Sequence, residues 1–117
     1  MKRKYRLIKS TDFKRVRRLG KSYAHPFVVL VKCPNASRQT HIGISAGRSV
    51  GNAVHRNRAK RRLREIIRPI YPAISPGWDI ILLARRSMLS NNFQQVNSAV
   101  HTLLKRAGLL GNLKSED

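Results

Sequence analysis

The sequence predicts an α/β domain, one layer of sheet packed by helices, with elements in the order α-β-β-α-β-α. Apolar runs at 27–31 and 80–84 have the length of strands, and both fall far short of the roughly 20 residues of a membrane span. Three other stretches, at 10–19, 52–68 and 92–107, carry apolar residues at helical spacing. A strand–helix–strand unit (41–45, 52–68, 78–84) sits at the centre of this order. The 117 residues make one domain, 1–117, with a basic arm at 1–9 and a polar tail at 111–117. An apolar share of 41% argues against wholesale disorder.

The arm is expected to be loose and the tail frayed. In the first helix, 10–19, Ser10 or Thr11 can cap the N-terminus, Asp12 lies in the first turn, and Gly20 is placed to stop it. Phe13, Val16 and Leu19 recur every third residue as one apolar stripe, while Lys14, Arg15, Arg17 and Arg18 cover the other faces. After Pro26, residues 27–32 are rich in β-branched side chains and read as a strand buried on both faces. Cys33-Pro34-Asn35-Ala36-Ser37 is turn chemistry. The alternation His41-Ile42-Gly43-Ile44-Ser45 makes a second strand, expected to form a hairpin with the first.

Gly47 and Gly51 mark a loop that opens into the second helix, about 52–68, ended by Pro69, which biases its predecessor away from α. At about 100° per residue, Ala59, Leu63, Ile66 and Ile67 fall in one arc and form the buried stripe. Arg56, Asn57, Lys60, Arg61, Arg64 and Arg68 fall on an adjacent flank, with Arg58, Arg62 and Glu65 elsewhere on the surface. Pro69, Pro72, Pro76 and Gly77 make a stiff connection to a third strand at 78–84. In the last helix, 92–107, Phe93, Val96, Val100, Leu103, Leu104 and Ala107 hold helical spacing, and Gly108 ends it.

Net charge is +20, from 25 Lys and Arg against five Asp and Glu. That density exceeds what solubility needs and implies a polyanionic partner. The single cysteine, Cys33, excludes an internal disulfide and suits a reducing cytosol, and the residue reads as a small hydrophobe at a strand end. The start, Met-Lys-Arg-Lys-Tyr-Arg, has no apolar segment behind it and is not a secretory signal, so a cytoplasmic location is expected.

The second helix carries seven bases between Arg56 and Arg68 against one acid, Glu65. Like charges three and four residues apart repel, so a plain solvated face explains the pattern poorly, and phosphate would relieve the repulsion. Arginine predominates, which suits forked contacts to phosphate oxygens and stacking on bases. Asn57 can hydrogen-bond a base edge or a 2′-hydroxyl, or serve as ordinary polar surface. The loop from Gly47 to Gly51 matches no nucleotide-binding pattern. It can bring backbone and Arg48 to a phosphate at the helix N-terminus, or be a plain turn. Phe13 and Tyr23 can stack on single-stranded nucleic acid, although Phe13 also fits a core stripe, and Trp78 reads as core.

Intrinsic catalysis is not expected. A two-metal nuclease needs clustered carboxylates, and Asp12, Glu65 and Asp79 lie on three different elements. His25, His41, His55 and His101 show no pairing spacing. No catalytic residue and no metal ligand are therefore assigned to the chain.

The run Gly51-Asn52-Ala53-Val54-His55-Arg56-Asn57-Arg58-Ala59-Lys60-Arg61-Arg62-Leu63-Arg64, preceded by Arg48, resembles the signature of the bacterial ribonuclease P protein component, Gly-x-Ala-Val-x-Arg-Asn-x-x-Lys-Arg-x-x-Arg. The resemblance extends over roughly residues 5–107 and includes Asp12-Phe13, the Ile-Gly-Ile-Ser segment at 42–45 and Asp-Ile-Ile-Leu-Leu-Ala-Arg at 79–85. It implies an α/β sandwich around a central mixed sheet of about four strands, with a left-handed strand–helix–strand crossover. It also implies the role of small protein partner to a large catalytic RNA. That RNA performs the Mg²⁺-dependent hydrolysis that removes the 5′ leader from precursor tRNA, and it holds most of the Mg²⁺. The implied partners are ribonuclease P RNA and precursor tRNA, with no membrane and no obligate protein partner. By position, Arg56, Asn57, Lys60, Arg61 and Arg64 fill the motif and are expected to face the RNA, with Arg48 just before it and Arg68 on the same flank. The resemblance places a leader-binding cleft between the first helix and one sheet face, lined by Phe13, Val28 and Leu30. Arg17 stands where a second aromatic can occur and Leu30 where a tyrosine can, so a phosphate contact from Arg17 is expected in place of stacking.

The rival reading is a structural RNA-binding protein, such as a small basic ribosomal protein, from which composition alone does not separate this chain. A membrane-active cationic peptide fits poorly, because the basic helix has few large apolar residues and the chain has a globular core pattern. Self-repulsion at +20 predicts that phosphate, sulfate or RNA raises the melting temperature in low salt. A melting temperature indifferent to all three would contradict this.

Overall fold

In the computed structural model, which describes Tyr5, Arg6 and residues 9–110, three α-helices pack on a four-stranded sheet. The elements are α1 (Ser10–Leu19), β1 (Lys21–Ala24), β2 (Val28–Pro34), β3 (His41–Ala46), α2 (Ala53–Ile70), β4 (Trp78–Ala84) and α3 (Phe93–Arg106). The sheet order is β1-β2-β4-β3. β2 pairs antiparallel with β1 and β4, while β3 and β4 run parallel and are joined through α2. The α/β class and the central strand–helix–strand unit are as expected from the sequence, and the mixed four-stranded sheet is as the family resemblance implies.

Four local expectations are corrected. β2 makes no hairpin with β3, because β4 lies between them. β2 and β4 are the two strands buried on both faces, and pairing them at the sheet centre satisfies both edges of each, leaving β3 with its Gly43 and Ser45 at the border. β1 adds an edge strand, largely exposed and held by backbone pairing to β2. β2 continues through Cys33 and Pro34, which read as a turn. Finally, α2 runs past Pro69 to Ile70. Pro69 is exposed in the last turn, where its missing N–H leaves only one carbonyl to water.

Helix ends follow local chemistry. Asn52 caps α2 by accepting from the His55 backbone N–H at 3.0 Å. Asn92 and Gln95 form a reciprocal capping box at the start of α3. α1 has neither: Lys9 precedes it with no side-chain cap. Of the arm expected to be loose, Tyr5 and Arg6 are docked. The Tyr5 ring lies 4.7 Å from that of Tyr71, and Arg6 bridges to Ile42 on β3. The other arm residues (1–4, 7 and 8) and the tail, 111–117, lie outside the described residues.

Because side chains alternate across a strand, the sheet has two distinct faces. Val28, Leu30, Ile42, Ile80, Leu82 and Ala84 face α2 and α3 and form the main core with Ala59, Leu63, Ile66, Ile67, Val96, Val100, Leu103 and Leu104. The stripe predicted for α2 is the one buried. The opposite face, under α1, holds a smaller cluster of Val16, Val31, Cys33 and Ile81, with Phe13, Val29 and Leu83 packed at its border. α1 contributes only Phe13 and Val16 to it, since Leu19, expected on the stripe, is 63% exposed.

Gly43 makes the docking of α1 possible. A Cβ at this position would stand 2.5 Å from Cζ of the Phe13 ring, so only glycine leaves room for the ring on the sheet. Gly43→Ala is expected to destabilise the fold by about 1–3 kcal/mol, the usual cost of overpacking. Denaturant titration of the variant checks this, and an unchanged midpoint would show that the ring is not confined there.

Candidate nucleic-acid interface

α2 is held by its buried stripe, so its cationic flank is fixed relative to the sheet. Arg48, Asn57, Arg61 and Arg68 are exposed, and Arg56, Lys60 and Arg64 are half-buried with their charged ends on the same side of the helix. Among the described residues the ion pairs are confined to Asp12, Asp79, Arg15 and His41, so no carboxylate neutralises any cation of α2. Arg56 donates weakly to the Gly51 carbonyl at 3.4 Å, which turns it toward the N-terminal end of the helix. Arg62, outside the predicted flank, is spent internally, donating to the Asn91 carbonyl at 2.9 Å and tying α2 to the turn before α3.

The loop before α2 is a single 3₁₀ turn, Arg48–Val50, with Val50 buried as its anchor. Gly51 follows at φ 139°, in the region open to glycine, and a Cβ there would meet the His55 side chain at 2.9 Å. Arg48 is thereby held outside the carboxyl end of β3, beside the start of α2.

A second cationic group, not singled out from the sequence, joins it at the same sheet edge. Because β3 and β4 are parallel and Ala46 pairs with Ala84, Arg85 and Arg86 leave β4 beside Gly47 and Arg48. They line an open cavity of about 340 Å³ with Pro26, Ser87 and Ser90. The cavity wall is fixed by Ser87 Oγ donating to the Pro26 carbonyl (2.6 Å), Arg85 N–H donating to the Phe27 carbonyl (2.9 Å) and a fully buried Met88. A basic dipeptide directly after an apolar strand is the signal that could have found it. Such placement outside the carboxyl ends of parallel strands is where α/β sheets commonly bind ligands.

On the other sheet face, α1 crosses the strands: Phe13 stands over Gly43 of β3, and the chain at Gly20 closes on Val31 and Lys32 of β2. The register sets three rows across the face. Cys33, Asp79 and His41 form the first, Val31, Ile81 and Gly43 the second, and Val29, Leu83 and Ser45 the third. α1 lies along the second row. The third row stays half-open beside Phe13, giving a shallow groove with an apolar floor. Val28 and Leu30, expected to line a cleft between the first helix and the sheet, do not border this groove. Both are 0% exposed and point into the main core on the opposite face, and their neighbours Val29 and Val31 hold the α1 side. Phe13 does border the groove and Arg17 is exposed on α1. Tyr23 faces the main core, with Lys32 Nζ 5.7 Å from its ring centre, and Trp78 packs there beneath the same ammonium at 4.4 Å.

The first row contains the one buried carboxylate among the described residues. Asp79 accepts from Arg15 (2.5 Å), Asn35 (2.8 Å) and His41 (3.1 Å). Burial pushes its carboxyl up, but the three donors together hold it below the usual carboxylate range. The same contact raises the Arg15 guanidinium. A carboxyl lowered on folding adds stability above its unfolded value, near pH ~4, and that stability is lost as pH falls through the lower folded value. The melting temperature should therefore drop in acid below about pH 4, and Asp79→Asn should flatten that limb. An identical acid limb in the variant would contradict the assignment.

Among the described residues no group of three or more His, Cys, Asp or Glu is placed to hold a metal ion. No helix among them is long and apolar enough to cross a membrane.

A family profile described as ribonuclease P matches residues 1–108. The ribonuclease P protein component of Herpetosiphon aurantiacus is 40% identical over 93% of this chain and 89% of its own length. That of Symbiobacterium thermophilum is 42% identical over 94% of this chain and 96% of its own. The crystallised ribonuclease P protein of Staphylococcus aureus superimposes with a TM-score of 0.83 at 33% identity, covering 91% of this chain and 97% of the other. That of Thermotoga maritima gives 0.78 at 31% identity, covering 86% and 96%.

Proposed function

Since the chain belongs to the ribonuclease P protein family, we propose that it is the protein subunit of ribonuclease P, binding the catalytic RNA through α2 and the 5′ leader of precursor tRNA beside α1. The observation that carries this is the unneutralised cationic flank on a helix immobilised by its own buried stripe. The reaction is endonucleolytic hydrolysis that leaves the mature 5′ end of the tRNA, with the RNA as catalyst, in the cytoplasm.

Arg56, Asn57, Lys60, Arg61, Arg64 and Arg68, with Arg48, face the catalytic RNA. Their charges lower the repulsion between two polyanions that must approach closely, the RNA and its substrate. Arginine forks fix phosphate oxygens in two directions at once, so the flank orients the RNA as well as attracting it. The leader lies along the third row of the sheet, with Val29 and Leu83 as floor, Phe13 as wall and Arg17 on a phosphate. Val28 and Leu30 act only by shaping the core behind it. Arg85 and Arg86 extend the cationic surface at the edge where the groove and the start of α2 meet. Mg²⁺, held mainly by the RNA, supplies the metal chemistry of the cleavage. The protein residues bind and orient the two RNAs.

Loss of one phosphate contact should weaken RNA affinity and reduce the slope of log affinity against log salt by about 1. We expect this for Arg56→Ala and for Arg61→Ala, measured by titrating ribonuclease P RNA at several salt concentrations. Unchanged slopes in both variants would remove these residues from the interface.

A further inference from the structure

α1 is weakly held for an element that walls a binding groove. It has ten residues, no side-chain N-cap, four cationic side chains and only two apolar anchors, Phe13 and Val16. Apolar contact is non-directional, so these anchors hold the helix down without fixing its rotation about its own axis. The directional contacts come from one side. Arg15 donates through Nη2 to Asp79 (2.5 Å) and, more weakly, to Asp12 (3.4 Å), and its Nη1 lies 3.8 Å from Cys33 Sγ. Asp79 is itself fixed by Asn35 and His41, from the β2–β3 connection and β3.

At 3.6 residues per turn, Arg15 and Arg17 project about 200° apart, on opposite flanks of the line along which Val16 enters the sheet. The Arg15 flank overlooks the first row, where Asp79 sits, and the Arg17 flank overlooks the third, which is the open groove. Any roll of α1 that lengthens the Arg15–Asp79 contact moves Phe13 and Arg17 across the groove.

We propose that Asp79 is a positioning residue for the leader: by gripping Arg15 it sets the roll of α1 and so the placement of Phe13 and Arg17. Asp79 touches no substrate in this account, being on the far side of the helix from the groove. The proposal rests on the groove reading given above.

The test uses the holoenzyme reconstituted with ribonuclease P RNA, and compares its affinity for a precursor tRNA bearing a leader with that for the same tRNA without one. Asp79→Asn keeps the size of the side chain and removes its charge. We expect it to lower this leader discrimination by about tenfold, while affinity for ribonuclease P RNA stays unchanged. That is less than the full cost of breaking a buried ion pair, because Arg15 is part-exposed and acts on the leader only through the roll of α1. Arg15→Lys, which keeps the charge but not the fork, should give a smaller loss in the same direction and remains informative if Asp79→Asn folds poorly. Equal losses in discrimination and in RNA affinity would overturn the proposal, because they would mark a general effect on the fold. Full discrimination in both variants, with Phe13→Ala losing it, would overturn the positioning role and leave the groove standing. Full discrimination in all three would remove the groove itself, and the proposal with it.

Discussion

The seating of α2 on the sheet governs everything this molecule presents to a partner. Leu63, Ile66 and Ile67 are buried almost completely, with Ala59 beneath the same helix. Each large aliphatic side chain taken from water contributes about 1.5–3 kcal/mol. Each like-charged neighbour three or four residues apart costs about 0.2–0.5 kcal/mol. The apolar stripe therefore outweighs the repulsion, and the cations stay clustered without acids among them. A helix with the same charges and no such stripe would unwind or spread them, and a flank balanced by carboxylates would have little pull on phosphate.

The sheet divides the labour. One face is closed by α2 and α3 over a continuous core, and this side supplies stability. The other is covered by a single short helix over a small cluster, leaving a row of half-exposed side chains beside it. The parallel pairing of β3 and β4 then turns Arg48, Arg85 and Arg86 out at one edge, where the two faces meet. A strand of nucleic acid lying in the groove and an RNA gripped by α2 would come together along that edge, with cations on both sides of the junction.

Much of this was legible in the sequence where a period is unambiguous. The buried stripe of α2 and the span of β4 match their predicted residues, and α3 agrees within one residue at each end. Strand pairing was less legible, because nothing local tells β2 to bond β4 across a long connection instead of β3 across a short one. β1 has four residues and no apolar pattern, so its only cue is the partner strand. The misplacement of Val28 and Leu30 has a definite cause. Residues 28–31 are apolar at every position, and a strand buried on both faces carries no alternation from which to decide which parity faces which helix. The motif on α2 was legible as a cationic flank. Arg85, Arg86 and the third row of the sheet required the register.

Whether this chain assists a catalytic RNA is decided by cleavage of a precursor tRNA at low Mg²⁺ by the protein alone, by ribonuclease P RNA alone, and by the two together. Release of the 5′ leader is expected only in the mixture. Cleavage by the protein alone, or a mixture no more active than the RNA while the protein is demonstrably bound, would rule out an accessory role.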